Sequence, residues 1–291
     1  MFSNLKLLKH QKPMLQTIGK VLLNSLRKTS FHIDEFEKVS TEFSLMPALP
    51  IVNQYHKWLS ASAKYQTAIA PHLYPQWAIP ELFKLGEKFG LPFHKILNQG
   101  CYLKINAPLP RETNLMARVQ LLDVKNYENK IRLNQKIWTG PKENPMAVEA
   151  KIYAVILKNN KTSLQHKSSH APIELGQYKE LSKVYISSRD AKIYGLISGD
   201  MNPIHLNQRV AKLFGLKGSI MHGFGLNALI FEELERHGFK IHELEIKFLS
   251  PVYRNSSITI FLEKKGTKDY HIRVLNEKLD TVYMVGTLVT F

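Results

Sequence analysis

Two long stretches of the chain alternate apolar and polar positions with the period of β-structure, and each follows a segment with helical apolar spacing. In the first, Ala78–Phe89 (AIPELFKLGEKF) predicts a helix. Pro80 suits a first turn, with Glu81 favourable beside it, and Gly90-Leu91-Pro92 ends the segment. Strand-like runs follow at Cys101–Ile105, Leu115–Val124, Lys130–Trp138 and Ala147–Leu157, separated by the turn-rich pieces APLPRETN and TGPKENP. In the second, Lys179–Ser187 reads as a strand, and Ser187 or Ser188 can cap a short helix containing Ala191, Ile193, Tyr194 and Ile197. A further short helix spans Asn207–Phe214, ended by Gly215. Gly223–His237 is the longest helical pattern, apolar around much of its circumference and therefore expected to be buried under a sheet. Leu244–Leu249, Ser257–Glu263, Tyr270–Leu275 and Thr281–Phe291 are the closing strands. Between Leu49 and Ala70 the pattern is mixed and punctuated by Pro47, Pro50 and Pro71.

The two stretches read as copies of one unit. A shift of 143 residues places Lys104 on Lys247, Pro108 on Pro251 and Arg111 on Arg254. A shift of 148 places Tyr74-Pro75 on His222-Gly223. Residues 158–172 are polar and aperiodic, the composition of a linker. The expected organisation is an N-terminal arm over 1–44, a first repeat over 45–160, a linker over 161–172 and a second repeat over 173–291.

Charge sharpens the asymmetry between the halves. The net charge is +16, and residues 1–170 hold 24 Lys and Arg against 11 Asp and Glu, whereas 171–291 hold 16 against 13. A basic half attracts polyanions, among them nucleic acid, anionic lipid, coenzyme A phosphates and acidic carrier proteins; a general solubilising charge is the plainer reading. The lysines of the first half are spread along the chain without a compact basic-aromatic cluster, which argues against nucleic acid. Residues 1–33 carry six Lys and Arg and no acid, with leucines at loosely helical spacing. A basic amphipathic arm fits better than a transit peptide, which would favour Arg and Ser over Lys. No apolar run approaches the ~18 residues of a membrane span, so no stable membrane insertion is expected. The one cysteine, Cys101, forms no internal disulfide, and a cytoplasmic protein is the expectation.

Chemistry concentrates between Tyr194 and Gly225. Asp200 and His205 stand five residues apart across a turn written by Gly199, Asn202 and Pro203, and His222-Gly223 opens the long apolar helix. Turn residues and helix caps alone would explain an Asp and an Asn here. A calcium loop does not fit, because the sixth position from Asp200 is His205 and the twelfth is Ala211. Zinc lacks an assigned third ligand, so no metal and no cofactor are expected. Gly223-x-Gly225-x-x-Ala228 mimics a dinucleotide fingerprint, but no βαβ alternation surrounds it.

Tyr194, Ser198-Gly199-Asp200, Asn202-Pro203-Ile204-His205, Ala211 and His222-Gly223, with Ile246–Tyr253 after the helix, resemble the MaoC-like (R)-specific enoyl-thioester hydratases. Residues 45–160 are similar to the degenerate first copy of double-hot-dog 3-hydroxyacyl-thioester dehydratases. The resemblance implies an α+β double hot dog, two long helices each wrapped by an antiparallel sheet. It also implies reversible hydration of a trans-2-enoyl thioester in fatty acid metabolism. Asp200 and His205 would activate water, and the Gly223 N–H would stabilise charge on the thioester oxygen. Asn202, Ser198, Tyr194 and His222 would shape the site, and Lys104 and Arg111 would meet a coenzyme A or acyl carrier protein substrate. Acyl thioesterase activity, or acyl-thioester binding without turnover, are the alternatives. Two halves can pair as a pseudo-dimer, leaving both a monomer and a homodimer open.

Overall fold

Side chains that alternate between core and solvent build antiparallel strands in both halves of the chain, and each half packs a long helix against them. The computed structural model describes residues 6–25, 38–87, 89–91, 96–158 and 173–291. The segment read as a linker, 161–172, lies outside them. The chain divides into two compact units. One is Met1–Thr162 with Leu196–Asp200, and the other is Ser163–Gly195 with Met201–Phe291.

The first unit contains β1 (Val39–Leu45), β2 (Ala68–Ile69), β3 (Ile96–Ile105), β4 (Leu109–Pro110), β5 (Leu115–Asn126), β6 (Lys130–Pro141) and β7 (Val148–Leu157). Its main sheet runs β1-β5-β6-β7-β3, and β2 pairs with β4 as a separate ribbon. Strict alternation along β6 buries Ile131, Leu133, Gln135, Ile137 and Thr139 on one face. The helix Pro75–Glu87 lies on that sheet, with Trp77, Ala78, Leu82 and Leu85 buried. Pro80 sits inside this helix rather than in its first turn, because the helix begins at Pro75. Trp77 Nε1 donates to Thr139 Oγ1 at 3.1 Å, so both polar groups are paired inside the core.

Two elements depart from the sequence expectation. Val39–Leu45 pairs in register with Leu115–Leu121, so the sheet begins inside the stretch expected to be a separate arm over 1–44. Leu49–Trp58 is a helix, with Pro50 in its first turn, where a residue without an N–H removes no intrahelical bond. Upstream, a 3-10 turn over Lys6–Gln11 leads into the N-terminal helix Lys12–Ser25.

The second unit contains β8 (Lys179–Ile186), β9 (Ile241–Phe248), β10 (Ser256–Lys264), β11 (Asp269–Asn276) and β12 (Val282–Thr290), in the order β9-β12-β11-β10-β8. Its long helix, Gly223–Arg236, buries Leu226, Ala228, Ile230, Phe231 and Leu234.

The internal repeat reaches the backbone. The two long helices start at Pro75 and Gly223, 148 positions apart, directly after Tyr74 and His222. Beyond β3 and β9, Glu112 and Asn255 stand 143 positions apart and both adopt a left-handed conformation, with φ of 60° and 59°. A non-glycine residue in that region is uncommon, so the same choice at both positions marks one turn used twice. Among the described residues no helix is long and apolar enough to cross a membrane.

Candidate active site

The helix Ser188–Ser198 delivers the site turn. It opens on a reciprocal cap: Ser187 Oγ accepts from the Asp190 N–H at 3.2 Å, and Asp190 Oδ2 accepts from the Ser187 N–H at 2.8 Å. It closes at Gly199, whose φ of +75° reverses the chain as a left-handed stop. Asp200 follows, its N–H donating to Ser198 Oγ at 3.2 Å. Asn202 then caps the next turn, Pro203–Leu206, accepting from the Ile204 N–H at 3.2 Å, and Pro203 takes the first helical position. Each residue of this turn thus has a local structural duty.

His205 is buried, and its Nδ1 lies 3.1 Å from the Ile220 carbonyl oxygen. A carbonyl only accepts, so Nδ1 carries the proton and the neutral ring presents Nε2 as an acceptor. The Ile220 carbonyl is itself fixed. Ile220 bridges to Tyr253, its N–H donates to the Ile204 carbonyl at 3.3 Å, and the Met221 N–H donates to the Val252 carbonyl at 2.8 Å.

His222 is 2% exposed and stacks on His205 with centroids 3.7 Å apart and planes 25° apart. It precedes the long helix without capping it through its side chain. The Tyr194 ring packs 5.0 Å from the His222 ring, and a Cβ at Gly225 would come within 3.1 Å of Tyr194, so this corner is close-packed. Gly223 begins the long helix, where first-turn amides have no intrahelical acceptor and the helix dipole is positive.

Donor atoms of Asp200, His205 and His222 all lie within 4.8 Å of one another. The third ligand that the sequence left unassigned is therefore present in space as His222. A metal fits this trio poorly for a geometric reason. Imidazole lone pairs lie in the ring plane, and two rings stacked at 25° direct them side by side rather than onto one point. A carboxylate beside a basic ring nitrogen suits a water molecule between them.

The structure brings Tyr194, Ser198, Asp200, Asn202, His205, His222 and Gly223 into one short stretch of folded chain. Lys104 and Arg111 have different surroundings. Lys104 ends β3 opposite Glu149, and Arg111 binds the Tyr65 carbonyl at 3.4 Å and Asn53 Oδ1. All these partners belong to the first unit, where Arg111 ties the helix Leu49–Trp58 to the segment around Tyr65. Sequence reasoning missed the tautomer-setting Ile220 carbonyl, which no side-chain pattern encodes, and the stacked His205–His222 pair.

Residues 172–283 match the family described as MaoC like domain. Among solved structures, the chain resembles HtdX of Mycobacterium tuberculosis at 16% identity and a TM-score of 0.69, covering 88% of this chain and 100% of that one. It also resembles a MaoC-like dehydratase from Phytophthora capsici at 15% identity and a TM-score of 0.69, covering 89% and 98%. A third, a Mycobacterium tuberculosis protein described as having a double hotdog fold, gives 8% identity and a TM-score of 0.57, covering 90% and 98%. At such identities the likeness shows the fold, a double hot dog. No curated protein matches the chain.

Proposed function

We propose, for a chain that carries a MaoC-like domain over residues 172–283, reversible hydration of trans-2-enoyl thioesters to (R)-3-hydroxyacyl thioesters. The family match supports hydratase or dehydratase activity in general; the thioester substrate and its stereochemistry are the finer part of the proposal. One observation carries the reading. His205 donates through Nδ1 to the Ile220 carbonyl and so keeps Nε2 as the basic nitrogen, and a ring nitrogen of His205 lies within 4.8 Å of an Asp200 carboxylate oxygen.

In the hydration direction, a water held between Asp200 and His205 gives a proton to Nε2 as its oxygen bonds to the β-carbon. The electron pair of the double bond moves toward the thioester carbonyl, and the Gly223 N–H meets the negative charge that develops there. The imidazolium then returns its proton to the α-carbon, which restores the neutral ring. Asp200 accepts a hydrogen bond from the second water hydrogen, which stays on the new hydroxyl, and stabilises the imidazolium. Asn202 and Ser198 hold the turn, and Tyr194 packs the ring pair. The basic first half, Lys104 and Arg111 included, would attract coenzyme A phosphates or an acidic carrier protein over a distance rather than at the reacting carbon.

The test follows the enoyl-thioester absorbance with crotonyl-CoA, a longer trans-2-enoyl-CoA and a trans-2-enoyl acyl carrier protein, together with a free-thiol assay. Loss of the band without thiol release, reduced about 10²–10⁴-fold by Asp200→Asn and by His205→Ala, is the expected result. Thiol release would assign a thioesterase instead. Full activity in either variant would refute the dyad.

A further inference from the structure

The N-terminal arm is tied to the turn that carries Asp200. Gln11 ends the 3-10 turn Lys6–Gln11 and is 1% exposed, although this segment of the chain is otherwise strongly basic. Its Nε2 donates to the Ile197 carbonyl and to the Leu196 carbonyl at 3.3 Å. Those oxygens lie in the last turn of Ser188–Ser198, where a helix leaves its final carbonyls without internal donors. A side chain 185 residues away in sequence thus caps this helix from outside.

The next residue in the turn is held from the same side. Met14, 4% exposed, lies where its Cβ and Cγ would be 2.9 Å from a Cβ at Gly199, and Gln11 Oε1 would be 3.0 Å from it. Oε1 itself is buried and has no hydrogen-bond partner among the described residues. A buried amide oxygen without a donor is costly, and an apolar side chain of similar length would fill the space without that penalty. What glutamine contributes here that methionine cannot is the directed pair of N–H bonds to the backbone two and three residues before the Gly199–Asp200 step.

We infer that Gln11 is a positioning residue, fixing the backbone of 196–200 and through it the direction of the Asp200 carboxylate toward His205. The role rests on the proposed hydratase reading for its kinetic consequence alone; the ordering of the turn stands apart from it.

The test uses the full chain with Gln11→Met, which keeps length and apolar packing but removes the donor. Amide hydrogen exchange over 196–205 should quicken about tenfold while the strands of both sheets keep their protection. Hydration of crotonyl-CoA should lose about tenfold in kcat with KM changed less than about twofold, the pattern of a misaligned reacting group. Unchanged exchange over 196–205 would overturn the inference. So would a uniform loosening of the whole chain, which would make Gln11 a stability residue only. If the wild-type protein hydrates no enoyl thioester, the proposed function falls, and the exchange comparison still decides the role of Gln11.

Discussion

Replacing Gly223 by proline removes one hydrogen atom of mechanistic interest and leaves most of the helix start intact. Gly223 is the first residue of its helix, a position that tolerates proline because its N–H has no intrahelical acceptor. The residue before it, His222, already has φ of −65° and ψ of 135°, the extended conformation that a following proline requires. The substitution also adds a Cβ, which would come within 2.8 Å of Phe248 Cε2 and 3.1 Å of its Cζ. That contact falls on the far edge of a side chain that can turn, and overpacking of this kind costs about 1–3 kcal/mol. Gly223→Ala carries the same clash and keeps the N–H, so the pair of variants isolates the donor. Loss of one such donor raises a barrier by about 2.7–4 kcal/mol, or 10²–10³ in kcat. The assay is steady-state hydration of a trans-2-enoyl-CoA by both variants, with a thermal melt of each to match their stabilities. Equal kcat for Gly223→Pro and Gly223→Ala would refute the assignment of the Gly223 amide to the thioester oxygen.

Four further outcomes are expected. Gly199→Ala combines a left-handed φ with a Cβ 2.9 Å from both Met14 Cβ and Met14 Cγ, and should destabilise by about 2–4 kcal/mol in denaturant melts; Met14→Ala in the same chain removes only the Cγ contact and should leave most of that loss in place. Ser187→Ala breaks the reciprocal cap and should cost about 1 kcal/mol, read as a lower denaturation midpoint without loss of the sheets' circular dichroism. Phe231→Ala empties the second core beneath its sheet and should cost about 3–5 kcal/mol. Burial alone would raise the Glu149 carboxyl, but the hydrogen bond and charge of Lys136 at 2.8 Å, aided by Asn106 and Lys104, hold it below its ordinary value. A depressed carboxyl stabilises above its unfolded pKa and loses that contribution as pH falls through the folded one. The stability gap between wild type and Glu149→Gln, about 1 kcal/mol at pH 7, should therefore narrow as pH falls below the ordinary carboxyl value of 4.5, and a gap independent of pH there would contradict the pairing.

The elements legible in the sequence were those with a clear period. β6, with its unbroken alternation from Lys130 to Trp138, and the Gly223–Arg236 helix, with its recurrent apolar face, fall where their patterns place them. Val39–Leu45 alternates, with Val39, Thr41, Phe43 and Leu45 half-buried on one face, but it lies at the end of its sheet without a fully buried residue and joins the basic stretch, where its short pattern does not stand out. Leu49–Trp58 was obscured by Pro50, a breaker in a helix interior and a starter at its first turn. At the site, Asp200, His205 and Gly223 were readable as side chains and turn chemistry. The Ile220 carbonyl and the Gln11 cap were not, since both depend on backbone oxygens brought near by folding.

If the second half alone carries the proposed chemistry, the paired helix starts at Tyr74-Pro75 and His222-Gly223 give that division a main-chain basis. At the place where the second copy offers a glycine amide, the first has proline, which has no hydrogen on its nitrogen. On the proposed reading the first copy therefore lacks that main-chain donor. Grafting Asp and His into it would rebuild the dyad and leave the thioester oxygen unmet. On that reading the difference is written into the backbone, and a second change at Pro75 would be needed to remove it.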